Sequence, residues 1–192
     1  MIVIVGLGNP GSEYSHTRHN VGWDIVEVLS QRNRIPMARK KCKSLVGEGM
    51  ISGKKVVLAQ PQTFMNLSGE AVVQLKEWYK PEEGNLLICY DDCDLPEGVL
   101  RFREKGSAGT HNGMRNIVAL TGTSEIARLR CGIGRPPERW DLKDWVLCSF
   151  RTKEEREMMF DSYMRACEVI ETWIAEGPEA ALRKTAQANK KE

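Results

Sequence analysis

Ile2-Val3-Ile4-Val5-Gly6-Leu7-Gly8-Asn9-Pro10-Gly11-Ser12-Glu13-Tyr14-Ser15-His16-Thr17-Arg18-His19-Asn20 opens on four apolar β-formers and runs into a turn holding three glycines. A short continuous apolar run suits a strand buried on both faces, as in a parallel sheet. The turn behind it then lies at the carboxyl end of a core strand, where open α/β sheets bind their ligands. It gathers Asn9, Tyr14, His19 and Asn20 into one neighbourhood.

Gly6-x-Gly8-x-x-Gly11 also has the spacing of the dinucleotide fingerprint. In that fold the third glycine sits inside a helix that packs on the sheet at once, and an acidic residue roughly 20 positions on holds the ribose. Here Ser12 to Asn20 offers one apolar side chain, Tyr14, and the region where a second strand should end reads Arg39-Lys40-Lys41-Cys42-Lys43. That context argues against a nicotinamide or flavin enzyme.

With 192 residues the chain is long enough for one sizeable core and short for two. Its 28 Lys+Arg against 26 Asp+Glu leave a net charge of +2, which neither demands nor excludes a nucleic acid. There is no cationic apolar leader and no apolar run near the roughly 18 residues of a membrane span, so a cytoplasmic protein away from membranes is expected. The six cysteines, Cys42, Cys89, Cys93, Cys131, Cys148 and Cys167, include no Cys-x-x-Cys pair and read as buried thiols of a reducing compartment.

Trp23, Val26 and Leu29 fall at helical spacing, with Asn20 placed to cap that helix. Leu45–Ile51 and Lys55–Ala59 around Ser52-Gly53-Lys54 read as a hairpin. The loop from Gln60 to Asn66 leads into a helix with Ala71 or Val72, Leu75 and Trp78 or Tyr79 inward. Leu86–Tyr90 is a second buried strand ending in Asp91-Asp92-Cys93-Asp94, and Val99–Arg103 alternates, so that Arg101 and Arg103 face outward. Gly106–Thr110 is a loop before a helix carrying Met114, Ile117 and Val118, and Arg128–Gly134 is another strand. The capping box Thr152-x-x-Glu155 starts the last helix, which buries Phe160, Tyr163, Cys167, Ile170 and Trp173 or Ile174 and stops at Gly177-Pro178. Together these predict a single α/β domain: a mixed, mostly parallel twisted sheet with helices on both faces.

Three strand ends and one loop therefore carry polar groups toward one edge: Asn9 with His19, Asn66, Asp91, and His111-Asn112. No serine lies in a Gly-x-Ser-x-Gly elbow and no cysteine neighbours a histidine, so a covalent nucleophile is not the natural reading. A histidine that deprotonates water is, with a carboxylate to fix its tautomer and stabilise the imidazolium. Asparagines orient a polar substrate without adding charge. Neither Asp91, Asp92 and Asp94 as a Mg²⁺ set nor His16 with His19 as a transition-metal pair has the ligand count and spacing of a metal site, so neither metal nor cofactor is expected.

Gly6-Leu7-Gly8-Asn9-Pro10-Gly11, Tyr14, Thr17-Arg18-His19-Asn20, Thr63-Phe64-Met65-Asn66-Leu67-Ser68-Gly69, Asp91-Asp92-Cys93-Asp94-Leu95-Pro96, Gly106–Gly113 and Arg128–Gly134 together resemble bacterial peptidyl-tRNA hydrolase, in the family's order and over nearly the whole chain. The resemblance implies one domain over 1–192 that hydrolyses the ester between peptide and tRNA without a metal and so recycles tRNA from prematurely released or stalled peptidyl-tRNA. Its implied partners are peptidyl-tRNA and the stalled large ribosomal subunit, and its implied state is a monomer.

Residue by residue, the resemblance implies that His19 is the proton acceptor, that Asp91 stabilises its basic form, and that Asn9 tells a blocked from a free α-amino group. It puts Tyr14, Phe64, Asn66 and Asn112 against the tRNA end and its ester-linked residue, and Arg103 and Arg130 at the 5′ phosphate. Met65 and His111 join the substrate-binding set, although Met65 also fits a core position and His111 a loop-shaping one. Thr110 stands where the family often has glycine, and Cys93 departs from the commoner residue in the acidic turn. The run from Arg39 to Lys43 is expected to be a solvated loop, and the basic stretch 183–192 either contacts phosphates weakly or is disordered. The rival reading is a non-catalytic RNA-binding module of the same fold, as in chloroplast intron-splicing factors.

Overall fold

β1 (Ile2–Gly6) lies at the centre of a seven-stranded sheet, and every one of its residues is buried. In the computed structural model, which describes residues 1–190, the sheet runs β2-β3-β4-β1-β5-β7-β6. The other strands are β2 (Arg39–Lys41), β3 (Ser44–Ile51), β4 (Lys54–Pro61), β5 (Leu86–Asp92), β6 (Leu100–Arg103) and β7 (Ala127–Gly132). The four middle strands β4, β1, β5 and β7 are parallel. Their carboxyl ends therefore share one edge. β3 and β2 extend one side as antiparallel strands, and β6 closes the other antiparallel to β7.

The period-two geometry of β1 explains the two cores. Ile2 and Ile4 point to one face, with Val21, Ile25 and Leu29 of α1 (Val21–Arg32) and Met159, Tyr163, Cys167 and Ile170 of α5 (Lys153–Glu176). Val3, Val5 and Leu7 point to the other, with Val72 and Leu75 of α2 (Ser68–Tyr79) and Met114 and Ile117 of α3 (Asn112–Thr121). Two further helices, α4 (Leu142–Val146) and α6 (Pro178–Ala188), complete the described chain.

The glycines of the first turn serve packing. A Cβ on Gly6 would fall on the carbonyl of Gly22, and one on Gly8 would meet the ring of Trp23 at 2.7 Å. Helix α1 thus crosses β1 at backbone contact, which consumes the close approach that a pyrophosphate would need.

Two expectations are corrected and two open alternatives are decided. Residues 39–41 are an edge strand rather than a loop, with Lys41 Nζ 4.2 Å over the ring of Trp78. Of the two alternatives on α2, Tyr79 packs against the core while Trp78 is 63% exposed, and the helix buries Ala71, Val72 and Leu75. Phe160 is exposed because Met159, one position earlier, shares the inward face with Tyr163, Ala166 and Ile170. The basic tail is ordered through α6, which Pro178 starts at its first turn, and Asn189 pairs with both the amide and the carbonyl of Leu100. Lys191 lies outside the described residues.

Candidate active site

β1, β5 and β7 end at a cleft of about 670 Å³ lined by Asn9, His19, Phe64, Met65, Asn66, Asp91, His111, Asn112 and Arg130 among others. The strand-end turn after β1 supplies the first two. Its 3₁₀ turn Arg18–Asn20 feeds directly into α1, so His19 is fixed by a helix start.

Asn20 does not cap that helix with its side chain. Its Oδ1 accepts the Asn9 amide at 2.9 Å and its Nδ2 donates to the Asn9 carbonyl at 3.0 Å. The two bonds tie the loop at Asn9 to the residue after His19. Asn9 is buried, and its own Oδ1 accepts the Met65 amide at 2.8 Å. Because a backbone N–H can only donate, this bond fixes the amide orientation and leaves Asn9 Nδ2 as the group to offer a substrate.

His19 Nδ1 lies 2.9 Å from each carboxylate oxygen of Asp91. Asp91 is buried at the end of β5, and its side chain is 3% exposed against 12% for His19. His111 Nε2 approaches Asp91 Oδ1 at 2.8 Å from the other side, while His111 Nδ1 accepts the Met114 amide at 3.2 Å and caps α3. An Nδ1 that accepts carries no proton, so His111 Nε2 is the donor to the carboxylate. Burial opposes the charged form of His19, but the Asp91 charge and hydrogen bond outweigh it and hold the imidazole above its ordinary value. Burial likewise opposes the charge of Asp91, and the two histidines overcome it, holding the carboxyl well below the usual range.

The ligand atoms of His19, Asp91 and His111 lie within 4.8 Å of one another, as do those of Asp92, Cys93 and Asp94. In the first group the carboxylate sits at hydrogen-bond distance between both rings, which is the geometry of a proton network. In the second, Asp92 pairs with Arg130 at 2.9 Å and Asp94 with Arg135 at 3.0 Å. Those arginines already offset the charge that would attract a cation.

Phe64 is 54% exposed at the cleft edge and meets Tyr14 edge-on with centroids 6.4 Å apart; Tyr14 itself stays outside the lining. Met65 is buried, and its Sδ would lie 2.7 Å from a Cβ on Gly113, so it forms the floor. Asn66 and Asn112 are exposed at the first turns that lead into α2 and α3. Asn116 Oδ1 accepts the Gly69 amide at 2.7 Å and holds those two helix starts together.

Arg130 reaches the cleft, but Arg103 is not among its lining. Across β6 and β7 Arg103 faces Arg128, and Arg130 faces Arg101. All four share one face, so Arg103 and Arg130 are diagonal neighbours at a Cα spacing of about 7–8 Å. Arg128 is buried and donates to the carbonyls of Ile126, Ser107 and Ser124, which anchors the loop leading to His111. Sequence reasoning assigned no role to Arg128, Asn116 or Arg18, nor to the cleft wall from Asp141 to Leu147.

The sequence model for peptidyl-tRNA hydrolase matches residues 3–192. The chain is 51% identical over 185 residues to a peptidyl-tRNA hydrolase of Roseiflexus sp. (strain RS-1), covering 96% of this chain and 85% of the relative. It is 49% identical to that of Chloroflexus aggregans, covering 96% and 98%. The crystal structure of peptidyl-tRNA hydrolase from Acinetobacter baumannii superimposes with a TM-score of 0.88 at 35% identity, over 96% of this chain and 94% of that one. A sequence and a fold that agree over almost the full length leave one conclusion, that this chain belongs to the peptidyl-tRNA hydrolase family.

Proposed function

We propose that His19 takes a proton from water, which attacks the ester carbonyl joining a peptide to the terminal ribose of tRNA and releases free peptide and tRNA. The carrying observation is the pair of 2.9 Å contacts between His19 Nδ1 and Asp91, which leave Nε2 as the ring nitrogen for the cleft. In this reading Asp91 fixes the tautomer and stabilises the imidazolium, and His111 orients Asp91 rather than touching substrate. The tetrahedral oxyanion is stabilised by the amide of Asn112 and by the N–H groups at the start of α3 that the His111 cap leaves free, where the helix dipole is positive.

Asn9 Nδ2 donates to the carbonyl of the peptide link in a blocked substrate. A free α-ammonium offers only donors at that place and must also be desolvated, so it binds worse. Phe64 and Tyr14 stack on the tRNA end, Asn66 holds its ester-linked residue, and Arg130 with Arg103 takes the 5′ phosphate. In this reading the protein acts as a monomer on peptidyl-tRNA freed in the cytoplasm or held on a stalled large ribosomal subunit.

Incubation of the protein with N-acetylated and with unblocked aminoacyl-tRNA, in chelator, tests the reading. The blocked ester should be cleaved and the free one largely spared. Binding of both without turnover would instead favour a non-catalytic RNA-binding module.

A further inference from the structure

Arg18 directly precedes His19, and its side chain is only 2% exposed. Its guanidinium lies 3.7 Å from the ring centre of Trp145 and 4.7 Å from that of Phe150. Nη1 donates to the carbonyls of Ser149 at 2.9 Å and Cys148 at 3.4 Å, and Nη2 to Glu97 at 3.2 Å. Glu155, which also closes the α5 capping box, lies 3.7 Å away. The Arg18 amide donates to the Cys148 carbonyl at 2.9 Å.

What this cation holds is the far wall of the cleft. Asp141, Leu142, Lys143, Val146 and Leu147 line the cleft, yet α4 within this segment fully buries none of its five residues, and only Trp145 and Val146 pack partly against the core. A helix that short, with two half-buried side chains, has little stability of its own. Beside that packing and the Thr17–Ser149 bridge, its attachments are the Trp145 indole, which donates to the Gly134 carbonyl at 2.9 Å, and the stack on Arg18.

We propose that Arg18 is a positioning residue that latches the 141–149 segment over the substrate, so that the turn carrying His19 and the opposite wall of the cleft keep one relative geometry. A planar guanidinium can donate along its edge and stack on its face at once, and a lysine ammonium cannot. His19 has its own supports in Asp91 and the Asn9–Asn20 pair, so loss of the Arg18 side chain loosens the wall and leaves the base in place.

The proposal rests on the hydrolase reading for its kinetics and stands apart from it for its dynamics. In Arg18→Met, amide exchange of 141–149 should quicken while β5 and the centre of α5 keep wild-type protection. KM for N-acetylated aminoacyl-tRNA should rise on the order of tenfold, with kcat within about threefold. Arg18→Lys should resemble Arg18→Met. Trp145→Ala should give the same two changes, Trp145→Phe should largely avoid them, and the Arg18→Met/Trp145→Ala double variant should be no worse than either single one. If Arg18→Met does not fold, the two Trp145 variants carry the test. Unchanged exchange in 141–149, or a loss confined to kcat, overturns the latch. Quickened exchange in a protein without turnover on either ester would keep the latch and overturn the hydrolase reading.

Discussion

A single carboxylate oxygen, Asp91 Oδ1, receives two imidazoles, His19 Nδ1 at 2.9 Å and His111 Nε2 at 2.8 Å. The two rings serve it differently, because His111 spends its second nitrogen on α3 while that of His19 is directed to the cleft. Each should therefore leave its own mark on the pH dependence of the rate.

His19→Ala should lower kcat by roughly 10²–10⁴, the usual loss of a general base, with tRNA affinity kept within a few-fold. In the proposed mechanism only neutral His19 is active, and Asp91 raises its pKa, so activity should fall as pH drops through that raised value. Asp91→Asn removes the counter-charge and should move this acid limb to lower pH while reducing the plateau. A pH–rate profile from single-turnover cleavage decides; an unmoved limb would separate Asp91 from the base.

His111→Ala should shift the limb the opposite way. Relieved of one donor, the Asp91 charge acts more strongly on His19 and raises its pKa further. The same variant loses the α3 cap, which should lower stability by about 1 kcal/mol in denaturant melts.

Asn9→Asp keeps an oxygen for the Met65 amide and replaces the open donor by a charged acceptor. Preference for N-blocked over free aminoacyl-tRNA, as a ratio of kcat/KM, should narrow sharply, and Asn9→Ala should narrow it less. A preference equal to wild type in a folded, active Asn9→Asp variant would place the selector elsewhere.

Arg103→Ala and Arg130→Ala should each raise KM for peptidyl-tRNA and flatten its salt dependence by about one unit of log–log slope. A minimal ester without the 5′ phosphate should be little affected. Arg128→Ala should act on stability instead, costing on the order of 2 kcal/mol, since the buried Ile126 carbonyl and the part-buried carbonyls of Ser107 and Ser124 lose their donor.

How much of this was legible depended on whether neighbours in sequence decide the outcome. Ile2–Val5 and the Thr152–Glu155 capping box are read by local rules, and the sheet and α5 follow them. Phe160 was misplaced because Met158-Met159-Phe160 allows two helical phases, and only the packing of α5 against α1 and the sheet chooses between them. Asn20 looked like a cap, yet the Asn9 backbone, eleven residues earlier, claims its amide. Residues 39–41 pair with β3 at an edge where charged side chains are favoured, so their composition reads as loop. Helix α6 hides behind a stop signal at Gly177-Pro178 that is also a good helix start. Within the cleft, the motif blocks located His19, Asp91, Asn9, Asn66 and Asn112. The wall at 141–147 is held by Arg18 across more than a hundred residues and leaves no local trace.

The two hydrogen bonds from the Asn20 side chain to the Asn9 backbone set a dimensional tolerance. The spacing between His19, the proposed base, and Asn9, the proposed selector, is fixed by the reach of one short side chain, and not by the sum of a helix, a sheet and the gap between them. Breathing of α1 against the sheet then carries both groups together. Core substitutions remote from the cleft, such as Ile170→Val, should accordingly shorten thermal survival well before they disturb kcat or the choice between blocked and free substrates.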